Sequence, residues 1–305
     1  MSIRLGLQIP NFSYGTGVEQ LFPTVLAQAR EAESAGFDSV FVMDHFYQLP
    51  ALGSPDQPML EAYTALGALA TATERVQLGT LVTGNTYRNP TLLAKAITTL
   101  DVASAGRAIL GIGAGWFELE HQQLGFEFGT YTDRFHRLEE ALQILDPMIK
   151  GERSTFSGDW YTTESAFANP RYRERIPILI GGSGEKKTFA IAARYADHLN
   201  LITGLDTVPG KLDALAKRCD EAGRDRSTLE TSVLLTVLLD ENAKPDQIPA
   251  EMSQRMLVGG PDYIAEQVQT KVLDAGIDGV IINMPLYTPG VVTAAADALR
   301  PLVGL

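Results

Sequence analysis

The sequence predicts one closed (β/α)8 barrel of the TIM type, a single α/β domain over residues 1–305, and three observations carry that prediction. Eight short, near-continuous apolar runs are spaced along the chain, amphipathic helical patterns lie between them, and no Pro/Gly/Ser-rich linker divides the chain. Apolar runs of this kind are strands of a parallel sheet buried on both faces, and eight strand-helix units close such a sheet into a barrel. A length of 305 residues fits one large barrel or two average domains, so the pattern decides and the length does not.

The elements follow in order. RLGLQIP (4–10) is the first strand, and VEQLFPTVLAQAREAESAG after it has apolar residues at three- and four-residue spacing and ends on a helix-closing Gly. SVFVMD (39–44) and VQLGTLVT (76–83) are the second and third strands, the latter followed by the amphipathic TLLAKAITTLDVASAG. AILGIGAG (108–115), PILIGG (177–182), HLNLIT (198–203) and TSVLLTVLLD (231–240) continue the series, PDYIAEQVQTKVLDAG supplies a late helix, and GVIINMP (279–285) is the eighth strand. Two intervals, 116–132 and the aromatic-rich 151–176, are too long for ordinary barrel loops, and the aromatics argue that the second is ordered. A third, 241–258, is polar and Pro-punctuated. Insertions are therefore expected after strands four and seven.

Composition narrows the partners. Lys plus Arg total 25 against 37 Asp plus Glu, a formal charge of −12, which argues against nonspecific nucleic-acid or anionic-membrane binding. Small molecules or other protein subunits are the expected partners, a homodimer among them. The single Cys219 lies in a polar helical pattern, excludes an intramolecular disulfide and reads as structural. The first residues, MSIRLGLQIPNF, lack the pattern of a signal peptide, and no run approaches the ~18 apolar residues of a membrane span. A soluble, cytoplasmic protein is expected.

In a barrel, chemistry belongs at the C-terminal ends of the strands. Here those ends carry Asn11, Asp44-His45, Thr83-Gly84-Asn85, Gly115-Trp116, Gly181 to Gly184, Thr203-Gly204 and Pro285. His45 is the imidazole among them, able to exchange a proton near neutral pH, and the adjacent Asp44 is a candidate to orient it. GIGAG at 111–115 fails the dinucleotide spacing where Trp116 stands, so its glycines read as room for a neighbouring backbone or a flat ligand. ILIGGSGEKKT (178–188) is neither a P-loop nor a dinucleotide fingerprint. Gly182, Ser183 and Gly184 precede a helical pattern there, and free N–H groups at a helix start favour an anion by about 0.3–1 kcal/mol, so a phosphate is the expected guest. His198 starts the sixth strand and is expected to point away from the catalytic face, and His45, His121 and His136 lack a close metal-ligand spacing, so no metal is expected.

DHF at 44–46, LGTLVTGNTYRNPTLLAK at 78–95, LDVASAGRAILGIGAGWFELEH at 100–121, RFHRLEEALQIL at 134–145 and ILIGGSGEKKT at 178–188 together resemble the luciferase-like monooxygenase superfamily. Within it they are most similar to the oxidoreductases that use the deazaflavin F420. The resemblance implies a (β/α)8 barrel and a hydride exchanged at the deazaflavin C5. It places Asp44 and His45 near the reactive part of the ring, with His45 the proton donor or acceptor. Leu81-Val82 matches a strand-three bulge where family members often have a non-prolyl cis peptide supporting the ring, with Thr83, Gly84 and Asn85 beside it. Gly115 and Trp116 match the strand-four end, Trp116 walling the pocket, and Gly181, Gly182, Ser183 and Gly184 match the turn for the cofactor phosphate. One departure stands out. The sugar-phosphate dehydrogenase branch has an acid directly after the last glycine of the strand-four motif, whereas this chain has Trp116 and no acid before Glu118. The rival readings are an FMN-dependent two-component monooxygenase of the same superfamily and a non-catalytic flavin- or F420-binding protein.

Overall fold

The computed structural model describes residues 3–240, 242 and 254–305. Eight parallel strands form a closed ring: β1 (Leu5–Ile9), β2 (Ser39–Val42), β3 (Gln77–Thr80, resuming at Thr83–Gly84), β4 (Ala108–Gly113), β5 (Ile178–Gly181), β6 (His198–Leu201), β7 (Glu230–Leu239) and β8 (Gly279–Asn283). The register Leu5 to Val280 through Gln8 to Asn283 joins β8 back to β1. A helix follows each strand, from Val18–Ala35 after β1 to Val291–Val303 after β8. The predicted barrel is therefore the fold.

Local chemistry explains the helix ends. Asn89 accepts from the Thr91 N–H ahead of Pro90, whose missing N–H costs nothing at a first helical position. Thr130 and Asp133 form a reciprocal capping box at the start of Tyr131–Ile149. Alternation along the strands then sorts two cores. Leu5, Leu7, Val40, Val42, Leu78, Leu110, Ile112 and Ile180 face the helices, while Phe41, Leu81, Ile109, Leu179, Leu234 and Ile281 join Ile3 inside the barrel. Full burial of one such side chain contributes about 1.5–3 kcal/mol, so the interior plug is a substantial part of the stabilisation.

Several strands end sooner than the apolar runs suggest. β2 stops at Val42, β4 at Gly113 and β8 at Asn283, because the next residues turn out of the ladder into loops. The first long interval contains the helix Glu118–Leu124. The second is an antiparallel hairpin, Ser154–Ser157 with Thr162–Ala166. It follows the helix after β4 and so begins at the opposite end of the barrel from the strand C-termini. Its tip nevertheless returns along that helix: Asp159, Trp160 and Tyr161 N–H groups donate to Glu140, and Arg137 lies 4.0 Å over the Trp160 ring. Of the third interval, 241 and 243–253 lie outside the described residues, and Met256–Gly259 is a short strand added to the end of β7. Among the described residues no helix is long and apolar enough to cross a membrane.

Candidate active site

Beyond β2 the chain leaves the sheet, and Asp44 and His45 find different partners. Both Asp44 oxygens take the Arg88 guanidinium, at 2.6 and 2.9 Å, and one also accepts the Gly84 N–H at 3.2 Å. Arg88 reaches Glu61 at 2.6 Å as well. Burial raises the Asp44 carboxyl above its ordinary range even against the Arg88 charge. The expectation that Asp44 orients His45 is thus corrected: its acceptor capacity is spent on pinning the exit of β3.

The carboxylate that meets His45 belongs to Glu120, on the helix Glu118–Leu124. Its Oε2 is 3.0 Å from His45 Nδ1 and accepts from the Tyr87 hydroxyl. Its Oε1 accepts from the N–H groups of Phe46 at 2.5 Å and Tyr47 at 2.9 Å. Glu120 is fully buried. Burial would raise its pKa, but the hydrogen bonds from His45, Tyr87 and the Tyr47 backbone hold it below the usual carboxylate range. The His45 side chain is 13% exposed, and among the described residues Nε2 makes no hydrogen bond. Trp116, 60% exposed, meets the His45 ring edge-on with centroids 5.8 Å apart.

The β3 exit has the geometry implied by the resemblance. Leu81-Val82 is a non-prolyl cis peptide. The Leu81 carbonyl accepts from Gln8 Nε2 at 2.9 Å, and Asn283 Nδ2 donates to Gln8 Oε1 at 3.0 Å, a buried relay across the barrel that sequence reasoning did not find. The Thr83 hydroxyl is occupied by Tyr63 and Thr80, and the Gly84 N–H by Asp44. Asn85 differs. It is 1% exposed, and neither polar atom of its amide makes a hydrogen bond of ordinary geometry. The hydroxyl of Tyr161, from the hairpin tip, is directed at it.

The glycines of β4 are explained by close approach. A Cβ on Gly111 would lie 1.9 Å from the Thr80 carbonyl oxygen, and one on Gly113 would lie 3.0 Å from Val82 Cγ2. A Cβ on Gly181, on the neighbouring β5, would meet Val82 Cγ1 at 2.8 Å. A neighbouring backbone and the Val82 side chain, not a ligand, therefore fill the space beside these glycines.

The turn after β5 is only partly as expected. The Gly182 N–H is used in the sheet, donating to the Asn200 carbonyl at 3.0 Å, so it is corrected from a phosphate donor to a conformational hinge with φ of +131°. The Ser183 hydroxyl bridges both backbone groups of Ile202. Among the described residues the N–H groups of Ser183 and Gly184 make no hydrogen bond. Lys211 binds the Ser183 carbonyl and the Glu185 side chain, and Arg218 the Glu185 carbonyl, two cations against the turn that sequence reasoning missed. Lys187 leans over Tyr131 and Phe135. Asn11 ties the first loop to the last through the Pro285 carbonyl, His121 is held by Thr86 and Phe117, and His198 is buried at the strand starts against Ser232. Among the described residues no three His, Cys, Asp or Glu side chains are grouped to hold a metal ion.

Residues 3–245 match the family model described as luciferase-like monooxygenase. An F420-dependent glucose-6-phosphate dehydrogenase of Microbacterium testaceum is 36% identical over 225 residues, which are 72% of this chain and 66% of that protein. One of the same name from Rhodococcus erythropolis is 30% identical over 318 residues, covering 89% of this chain and 91% of its own length. Among solved structures, an F420-dependent secondary alcohol dehydrogenase in complex with an F420-acetone adduct superposes with a TM-score of 0.85 at 20% identity, covering 99% of each chain. The long-chain alkane monooxygenase LadA gives 0.81 at 15% identity over 100% of this chain and 91% of its own. At these identities the structural likenesses show a shared fold.

Proposed function

This chain belongs to the luciferase-like monooxygenase family, and from that premise we propose that it is an F420-dependent oxidoreductase moving a hydride between the deazaflavin C5 and a small organic substrate. The relatives at 30–36% identity that carry F420 in their names support that cofactor. The residues present fit it on two counts. The buried Asn85 amide at the β3 exit, faced by the Tyr161 hydroxyl, and the unpartnered N–H groups of Ser183 and Gly184 beside Lys211 are a donor set that suits a polar ring edge and an anion. Val82 and Trp116 supply apolar surface for a ring. F420, when bound, supplies the hydride carrier.

The observation that carries the chemistry is His45, with Nδ1 engaged by a buried carboxylate and Nε2 open. Its part is to accept or return a proton at Nε2 while Trp116 and Phe117 wall off solvent. An open acceptor nitrogen suits a hydroxyl-bearing substrate, which loses its O–H proton as hydride leaves the adjoining carbon. Trp116 in place of an acid, with Leu286 and Ile202 also exposed beyond their strand ends, favours an apolar alcohol over a sugar phosphate.

Fluorescence titration of the purified protein tests the cofactor: F420 is expected to bind more tightly than FMN. Tight FMN binding without detectable F420 binding would assign the protein to flavin-dependent monooxygenation instead.

The phosphate turn has its own test. Valine at Gly182, whose φ of +131° is a left-handed value β-branched residues avoid, costs about 1–3 kcal/mol and displaces the donors of Ser183 and Gly184. Gly182→Val is expected to weaken F420 by about tenfold or more, with thermal melting confirming that it folds. Lys186→Ala removes an exposed charge worth at most ~1 kcal/mol and has the smaller effect. A phosphate-free deazaflavin fragment should bind both variants almost equally, and equal discrimination by fragment and whole cofactor would remove the phosphate from this turn.

A further inference from the structure

We propose that Glu120 is the positioning residue of the site, dictating which nitrogen of His45 carries the proton. The proposal rests on the reading of His45 as the proton-handling group. Its two oxygens have separate duties. Oε1 faces the Phe46 and Tyr47 N–H groups, which can only donate. Oε2 takes the Tyr87 hydroxyl and faces His45 Nδ1 at 3.0 Å. One carboxylate thereby staples the loop after β2, the turn Asn85–Tyr87 after β3 and the helix Glu118–Leu124 after β4.

The donors surrounding Glu120 favour its ionised form, and its pKa is lowered accordingly. In the neutral imidazole, an ionised Oε2 favours the tautomer with its proton on Nδ1, which leaves Nε2 as the acceptor. The ring is further held edge-on by Trp116 and Phe117, with centroids 5.8 and 5.7 Å away. Nothing else in contact with Nδ1 among the described residues could choose the tautomer.

Glu120→Gln probes this because the fixed backbone donors decide how the amide sits. Its carbonyl must remain toward Phe46 and Tyr47, so its NH2 turns toward His45 and Tyr87. Nδ1 must then accept, and the proton moves to Nε2. Long-range nitrogen-proton NMR correlation on labelled protein, with His45 assigned by its loss in His45→Asn, reads the tautomer without any cofactor. The expected result is an Nδ1-protonated His45 in the wild type and an Nε2-protonated one in Glu120→Gln. In the F420-loaded enzyme, turnover should fall by about 10²–10⁴-fold, the range for a lost general base, with F420 affinity retained. Tyr87→Phe, which keeps the carboxylate, should keep the wild-type tautomer. An Nε2-protonated wild type overturns the proposal whether or not the Gln variant folds, and so does an unshifted tautomer in Glu120→Gln. Failure of the wild type to bind F420 would sink the oxidoreductase reading alone, since the tautomer measurement does not depend on it.

Discussion

Replacing His45 with alanine is expected to lower turnover by about 10²–10⁴-fold at saturating substrate, the usual contribution of a positioned general acid or base. F420 affinity should change far less, because the proposed Ser183 and Gly184 donors lie on another strand end from His45. The variant also leaves the buried Glu120 carboxylate with Tyr87 and two backbone N–H groups as donors, so the loop after β2 keeps two of its three bonds to Glu120. Steady-state rates with the cofactor reduction followed optically decide the matter. An unchanged rate would reduce His45 to packing at the rim.

Arg88→Ala is expected to cost about 3–5 kcal/mol of stability, read as a shift of the urea midpoint, since removing one partner strands a buried charge. Asp44 is the group stranded, its side chain 1% exposed against 12% for Arg88. Glu61, at 40% exposed, can turn to water and should matter little. Arg88→Lys keeps the charge but not the two-pronged geometry and should recover only part of the loss. A loss below ~1 kcal/mol in Arg88→Ala would mean that the pair behaves like an exposed one.

The barrel was legible because strands buried on both faces must be apolar throughout, and eight such runs leave few other closures. His45 was legible as an imidazole on a strand end. Its partner was not, because Glu120 is 75 residues away and neighbours in sequence, such as Asp44, need not touch in space. One signal pointed to Glu120: it stands three residues after the buried Phe117, on the same side of a helical turn, whereas Glu118 faces solvent. The Gly182 N–H was misread because its sheet bond to Asn200 depends on the parallel register of β5 and β6, which no single strand encodes. Lys211 and Arg218 were passed over because cations on an amphipathic helix look like an ordinary solvated face. The hairpin's return to the rim depends on Glu140 collecting three backbone N–H groups, again a long-range match.

The glycines beside Val82 set where this enzyme can be retrained. A combinatorial library that randomises residues 111, 113 and 181 would spend most of its members on variants whose new side chain collides with the Thr80 carbonyl or the Val82 methyls. Substrate scope should instead evolve at Trp116, Ile202 and Leu286, each exposed beyond the end of a different strand and free to change size without moving the ring of strands. Selection for a new substrate should therefore enrich changes at those three positions while the wild-type glycines persist in every active clone.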